Sequence, residues 1–446
     1  MNPPARPVVL ASSLLAAALA IAYLAWPSPP GQDLAAAQFR ADLFAREGFE
    51  LCSDAWYSGF DLLSYSVLFP PLGSLLGPRL AAAIAVVAAA ALFALLAERR
   101  YGRRALIPAL WFAAGASAWL LTGRMPFLVA LPFGLGALLA GGRFAIPLAA
   151  ALAALTALVS PVAGLFVAIA GASIAIAGDR ARGAALALGA LVPVAVLGLA
   201  FPTGGEQPFA LSAFVFIPLS AATALWLVPR QQRALRVGAV IYLLVALAAL
   251  LIPSPLGANV TRLGALLAGP LLALALWPRG RLVVAAVCLP LAYWQLVAPG
   301  RDLAEGAGLA ENEAGFYQPL VAELERVAQP GQRIEIPPTR NRWEAAHVAP
   351  EQPLARGWLR QLESDDIDLF TQGNLTADAY RGWLRDHQVA FVAVADAELD
   401  YLAEDEAQLI GAGLDYLDPI WESDDWSLYA VSGTAAASET SSSCSS

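Results

Sequence analysis

Apolar positions along this chain fall into long unbroken runs as far as residue 298, with the polar residues gathered in short gaps between them. A helix rises about 1.5 Å per residue, so roughly 20 apolar residues carry a chain across the hydrocarbon of a bilayer. The first run, Val8 to Trp26, is 19 residues long and is followed by Pro27-Ser28-Pro29-Pro30 rather than by a small-residue cleavage site. It reads as a retained anchor helix, not as a signal peptide. Further runs lie at 80–97, 105–122, 126–141, 144–159, 162–178, 184–201, 211–228, 238–253, 264–277 and 282–298. The pattern predicts an all-α polytopic membrane bundle of about eleven spanning helices over residues 1–299.

Beyond residue 300 the pattern shortens. Gln318–Ala328, Thr376–Asp386 and Glu404–Gly411 read as helices, and Arg333–Pro337, Val389–Ala395 and Trp426–Val431 as strands. Such alternation predicts a small α/β domain over 300–433. The last stretch, 434–446, is rich in Ala, Ser and Thr and is expected to be disordered.

The arginines give the bundle a direction. One alternating set of gaps holds Arg99, Arg100, Arg103, Arg104, Arg143, Arg180, Arg182, Arg230, Arg233, Arg236, Arg279 and Arg281. The opposite set, apart from a long first loop at 27–77, holds Arg79, Arg124 and Arg262. Short cytoplasmic loops retain positive charge. The N-terminus is therefore expected in the cytoplasm and the C-terminal domain outside it, in a bacterial plasma membrane.

Composition supports this division. The chain is 58% hydrophobic and 14% charged, against about 25% charged in soluble domains. Residues 1–300 carry 18 Arg against 9 acidic residues, and residues 301–446 carry 9 Arg against 27. Lys is absent, which with the heavy use of Ala reads as base-composition bias without functional meaning. Cys52, Cys288 and Cys444 match no zinc spacing, and a Cys52–Cys444 bridge is conceivable outside the cytoplasm but not expected. His347 and His387 are the only histidines, so no histidine-rich metal centre and no cofactor are predicted. The chain has no Gly-rich phosphate loop and no hydrolase triad, which argues against soluble-nucleotide chemistry, and no nucleic-acid partner is expected.

The first loop holds the candidate chemistry. Asp33 precedes a helical stretch, Leu34 to Glu47, that Gly48 closes. Leu34, Ala37, Ala41, Phe44 and Ala45 share one face and Arg40, Asp42, Arg46 and Glu47 occupy the others, which predicts an amphipathic helix lying in the membrane interface. Trp56-Tyr57-Ser58-Gly59-Phe60-Asp61 follows, then Tyr65-Ser66-Val67-Leu68-Phe69-Pro70-Pro71. The double proline is expected to keep a helix from starting before Leu72 and to bend the entry into the second span.

A first span, an acidic outer loop with a short helix, and these aromatic and proline motifs together resemble the GT-C superfamily, polytopic glycosyltransferases that use polyprenyl-phosphate sugars. The chain also resembles a group of bacterial membrane proteins sharing Tyr65–Pro71, the Thr122-Gly123-Arg124-Met125-Pro126 turn and the Asn259-Val260-Thr261-Arg262 turn. In GT-C enzymes the catalytic carboxylate lies shortly after the first span, a position matched by Asp33, where the resemblance implies a general base. Asp33 equally suits the cap of the helix that follows. The chain reads Gln32-Asp33 where many members have adjacent acids, so a second carboxylate would have to come from Asp54 or Asp61, which otherwise read as solvated loop acids.

Arg124 and Arg262 run against the charge asymmetry and fit a phosphate clamp, although an arginine snorkelling to lipid phosphate would look the same. Asn259, Tyr57 and Tyr65, from the shared motifs, are further candidate substrate-binding residues. In the C-terminal domain, Pro337-Pro338-Thr339-Arg340-Asn341-Arg342-Trp343 is basic and aromatic within an acidic domain, which makes Arg340 and Trp343 candidates for holding an acceptor. The remaining tryptophans read mainly as core. The spans hold almost no ionisable residues, which argues against an ion-coupled transporter. The expectation is a sugar transferase acting on a polyprenyl-phosphate donor and an extracytoplasmic acceptor. A membrane transporter or lipid-linked-glycan translocase, or a non-catalytic envelope protein, are the alternatives.

Overall fold

Each of the eleven apolar runs is helical in the computed structural model, which describes residues 6–202, 205–329, 331–359, 362, 369–370, 373, 375–433 and 444. In chain order the helices are α1 (Pro7–Leu24), α2 (Leu34–Glu47), α3 (Phe69–Leu76), α4 (Pro78–Tyr101), α5 (Leu106–Ala118), α6 (Met125–Leu139) and α7 (Ala145–Val159). They continue with α8 (Pro161–Ala177), α9 (Arg180–Ala200), α10 (Leu211–Phe214), α11 (Phe216–Leu227), α12 (Arg233–Leu251), α13 (Thr261–Leu276) and α14 (Arg281–Gly306). Among the described residues, six helical stretches are long and apolar enough to cross a membrane, one of them the joined pair α4 and α5, and four further apolar helices are shorter. The chain is a multi-pass membrane protein.

Polar groups at the span ends are used locally. Arg79 donates to the carbonyls of Tyr23, Leu24, Trp26 and Pro27, at and just beyond the end of α1, where helical donors run out. That role accounts for one cation on the arginine-poor side. Gln295 of α14, buried in the bundle, accepts from the Trp111 indole at 2.6 Å and donates to the Leu266 carbonyl at 3.0 Å, tying α5, α13 and α14 together.

The first loop departs from expectation twice. Helix α3 begins at Phe69, with Pro70 and Pro71 inside its first turn rather than before it. A first-turn proline forfeits no helical hydrogen bond, so the double proline starts the helix that it was expected to block. The bend comes later, at Gly77 (φ 78°), between α3 and α4. Helix α2 keeps its expected limits but is buried by protein on two sides. It packs against α3, α4 and α6 on the bundle side and against the short helix Glu344–His347 of the C-terminal domain on the other. Leu34, Ala35, Ala36, Ala37, Phe39, Arg40, Ala41 and Leu43 are all buried, the run of alanines letting both sides come close.

The rest of the loop forms a two-residue ladder, β1 (Cys52–Ser53) antiparallel to β2 (Phe60–Asp61). Trp56 inserts into the C-terminal domain, where its indole donates to the Ala345 carbonyl at 3.2 Å and Leu354 N–H donates to Ala55 at 2.9 Å. The loop and the C-terminal domain share one core. Cys52 is disulfide-bonded to Cys444, the pairing that the sequence had not favoured. The rest of the 434–446 tail lies outside the described residues.

The C-terminal domain is a four-stranded sheet of order β3 (Arg333–Glu335), β4 (Val389–Ala395), β6 (Trp426–Val431) and β5 (Leu417–Glu422). The β3–β4 pair is parallel and the other two pairs are antiparallel. Strand β5 went unread because Pro419 interrupts it and its side chains are mostly exposed, both features of an edge. The α/β expectation otherwise holds. The composition changes at residue 300 but the helix does not, since α14 runs on to Gly306, whose carbonyl accepts from Asn312 and Asn341.

Candidate functional site

Asp33 occupies the N-cap position of α2, yet its side chain makes no capping hydrogen bond. Its carboxylate turns instead toward α6 and α13, with Oδ2 3.2 Å from Arg124 Nε and 3.9 Å from Arg262 Nη2. Two glycines permit this approach. Gly123 holds a left-handed φ of 72°, and a Cβ there would lie 2.4 Å from the Leu34 nitrogen. A Cβ on Gly31 (φ 137°) would lie 2.8 Å from the Gly123 nitrogen. The turn before α6 and the segment before α2 thus meet backbone to backbone, and the next charged side chains along each, Arg124 and Asp33, pair.

Arg262 is the second residue of α13, directly after a tight turn, Gly257–Val260. Its Nη2 donates to Asn259 Oδ1, so Asn259 orients the guanidinium. Arg262 also lies 5.6 Å from the Phe127 ring centroid, and Arg124 lies 5.6 Å from that of Trp119. Three of the expected site residues therefore converge from segments far apart in the chain, with Asn259 in support.

Tyr65 stands within electrostatic reach of Asp33, Arg262, Arg40 and Arg124. Burial pushes its phenol above the usual range and the Asp33 carboxylate adds to that, while the three arginines pull it back. Arg40, two turns along α2 from Asp33, places its guanidinium 4.3 Å from the Tyr65 ring centroid. Burial lowers Arg40 to about 10, which leaves it cationic at neutral pH. Trp358 arrives from the C-terminal domain, its indole donating to the Gln32 carbonyl at 2.6 Å and its ring edge-on to Tyr65. The domain thus covers the residue next to Asp33.

Beside this cluster the bundle holds a cavity of about 380 Å³ between α6, α8, α12 and α13. Its wall is almost wholly apolar, including Phe127, Phe166, Leu235 and Leu263, and Arg262 belongs to the same wall. An apolar tail and an anionic head are the two halves of a ligand that such a surface suits.

Asp61 sits in β2 opposite Cys52, and Asp54 lies within electrostatic reach of Arg333 in β3. Tyr57 adopts a left-handed φ of 55° in the turn between β1 and β2. Arg340 pairs with Glu398 at 3.7 Å, and Trp343 is buried, stacked on His347. The sequence reading missed Arg40 and Trp358 as site residues. Arg40 had been placed on the solvated face of an interface helix, and its spacing of seven from Asp33 was the available signal.

No family model matches the chain, and no curated protein matches it. Among solved structures it resembles the arabinofuranosyltransferase AftD from Mycobacteria, at 17% identity and a TM-score of 0.56. That likeness covers 96% of this chain, which spans only 40% of AftD. A looser likeness, at 13% identity and a TM-score of 0.48, is to ArnT from Cupriavidus metallidurans bound to undecaprenyl phosphate, covering 95% of this chain and 99% of that one. The apo form of ArnT gives 14% identity and 0.46. In fold, the chain is a polytopic membrane protein that resembles the part of AftD it covers.

Proposed function

We propose that this protein transfers a sugar from a polyprenyl-phosphate donor to a hydroxyl on an extracytoplasmic acceptor, at a bacterial plasma membrane. The observation that carries the reading is a largely buried carboxylate shared by two guanidinium groups, one of which also lines an apolar groove. The groove suits the isoprenoid chain and the arginine pair suits its phosphate, which planar guanidinium groups bind through paired hydrogen bonds. The likeness in fold to an arabinofuranosyltransferase supports the reaction class.

In the reaction the acceptor oxygen attacks the anomeric carbon of the sugar. A new carbon–oxygen bond forms as the sugar–phosphate bond breaks, and the electron pair leaves on the phosphate. The acceptor's proton passes to Asp33 as general base. A phosphate arriving at the pair competes with Asp33 for the arginines and frees a carboxylate oxygen for that proton. The leaving phosphate gains charge in a poorly solvated place, where fixed guanidinium groups stabilise it most. The arginine asymmetry of the loops supports placing this site on the outer side.

The test is binding and transfer in nanodiscs with labelled polyprenyl-phosphate sugars. Asp33→Asn is expected to bind donor while transfer falls by about 10²–10⁴-fold, the usual contribution of a positioned base. Transfer at the wild-type rate by Asp33→Asn would remove the carboxylate from the chemistry.

A further inference from the structure

Arg40 stands out among the charged groups of the chain. It is 2% exposed, and Nε, Nη1 and Nη2 all lack a hydrogen-bond partner among the described residues. Its contacts are aromatic faces, Tyr65 at 4.3 Å and Phe60 at 5.9 Å from its central carbon. A buried guanidinium without a counter-ion is among the more costly arrangements a fold can hold, and folds keep such groups where a ligand completes them.

The charges around it do not supply that completion. Asp33 pairs with Arg124 and Arg262, not with Arg40. Asp302, buried at the end of α14, faces Arg124 and pairs with Arg301 at 3.7 Å, and Arg40 is not among the charges that act on it. Tyr65 is held in its neutral form by burial and by Asp33. Arg124 and Arg262 therefore have carboxylate partners and Arg40 has none among the described residues, and a single phosphate on the Arg124–Arg262 pair leaves Arg40 as it was. Tyr65 is within reach of both positions, so the two belong to one site.

We propose that Arg40 marks a second oxyanion position, so that the head group taken by this site carries two separate negative groups. One is the phosphate on Arg124 and Arg262, a placement that rests on the function proposed above. The other sits on Arg40 and is either a second phosphate, as in a lipid diphosphate, or the carboxylate of an acidic sugar. The second charge belongs to the head group and not to the tail, because Arg40 lies on α2 with the outer loop while the apolar groove runs between α6, α8, α12 and α13.

The test uses the full-length protein in nanodiscs, wild type and Arg40→Met, with farnesyl phosphate, farnesyl diphosphate, and farnesyl phosphate plus glucuronate as probes. Met keeps the apolar stem and removes an unpaired buried charge, so the variant is expected to melt at or above the wild-type temperature. In the wild type, farnesyl diphosphate is expected to bind at least about tenfold tighter than the monophosphate, the scale of one charged hydrogen-bonded contact. Arg40→Met is expected to bring that ratio near one and leave monophosphate affinity within about twofold. If instead the wild type treats the two lipids alike but glucuronate stabilises the farnesyl phosphate complex, and Arg40→Met abolishes this, the second group is a carboxylate.

Farnesyl phosphate binding without either discrimination overturns the inference alone, as does a destabilised Arg40→Met that keeps every wild-type ligand response. No farnesyl phosphate binding in a folded wild type overturns the proposed function and this inference with it.

Discussion

Two sets of buried arginines in this molecule have opposite surroundings. In the C-terminal domain Arg356 is enclosed by Glu335 and Glu406, its Nε 2.8 Å from Glu335 Oε1, and the Tyr380 hydroxyl donates to Glu406 at 2.7 Å. Arg342 donates to the Gly357 carbonyl at 2.8 Å and pairs with Asp400 at 3.7 Å. Carboxylates outnumber guanidinium groups there. At the junction of membrane bundle and domain, Arg124 and Arg262 share Asp33, and Arg40 has no carboxylate partner among the described residues. A carboxylate-rich surrounding satisfies arginines as structure. A guanidinium excess in a buried place calls for an anion from outside.

The largest effect that sharpens this contrast is expected from Arg356→Ala. It leaves two buried carboxylates without their cation, and stability should fall by about 3–5 kcal/mol, read as a lower melting temperature or denaturation midpoint. A loss under about 1 kcal/mol would break the comparison.

Next comes the carboxylate excess itself. Glu344 is fully buried and accepts from Thr339 Oγ1 at 2.6 Å, and burial raises its carboxyl to about 7. Its folded pKa lies above the unfolded value, so between the two the folded state holds the extra proton. The stability this gives is present below about pH 4.5 and is lost as pH rises to about 7, by up to about 3 kcal/mol. Glu344→Gln is expected to flatten that part of the melting profile. An unchanged slope would assign it to other groups.

Arg262→Ala is the counterpart at the junction. Affinity for a polyprenyl phosphate should drop by about 1.5–3 kcal/mol, the range for hydrogen bonds to charged groups, while the melting temperature moves little. Equal losses of stability and affinity would make Arg262 structural like Arg356. Smallest is Arg340→Ala, which removes a partly exposed pair with Glu398 and should change stability by less than about 1 kcal/mol and lipid affinity not at all.

The parts of the fold set by local patterns were readable from the chain. Uninterrupted apolar runs became the spans, and Asp33 with Gly48 bounded α2. Arg124 and Arg262 drew attention because they broke the charge asymmetry between loops. Their meeting with Asp33 depends on the close contact of Gly31, Gly123 and Leu34, and no local pattern encodes a contact between segments some ninety residues apart. Arg40 looked like the polar face of an interface helix, because the return of the first loop's own Phe60 and Tyr65 onto its guanidinium is not encoded in the helix periodicity. The basic, aromatic stretch at 337–343 has structural partners that its sequence did not announce. Asn341, Arg342 and Trp343 are taken up in holding the domain to the end of α14 and to its own core. Clustering along the sequence favoured that loop, whereas convergence in space favours Asp33.

The most direct test of the central claim is a structure of the protein in nanodiscs with a polyprenyl phosphate bound. Phosphate density between the Arg124 and Arg262 guanidinium groups is expected, with the Asp33 carboxylate displaced from at least one of them and the isoprenoid chain entering the groove beside Phe127. Lipid located elsewhere on the bundle, with Asp33 still paired to both arginines, would contradict it.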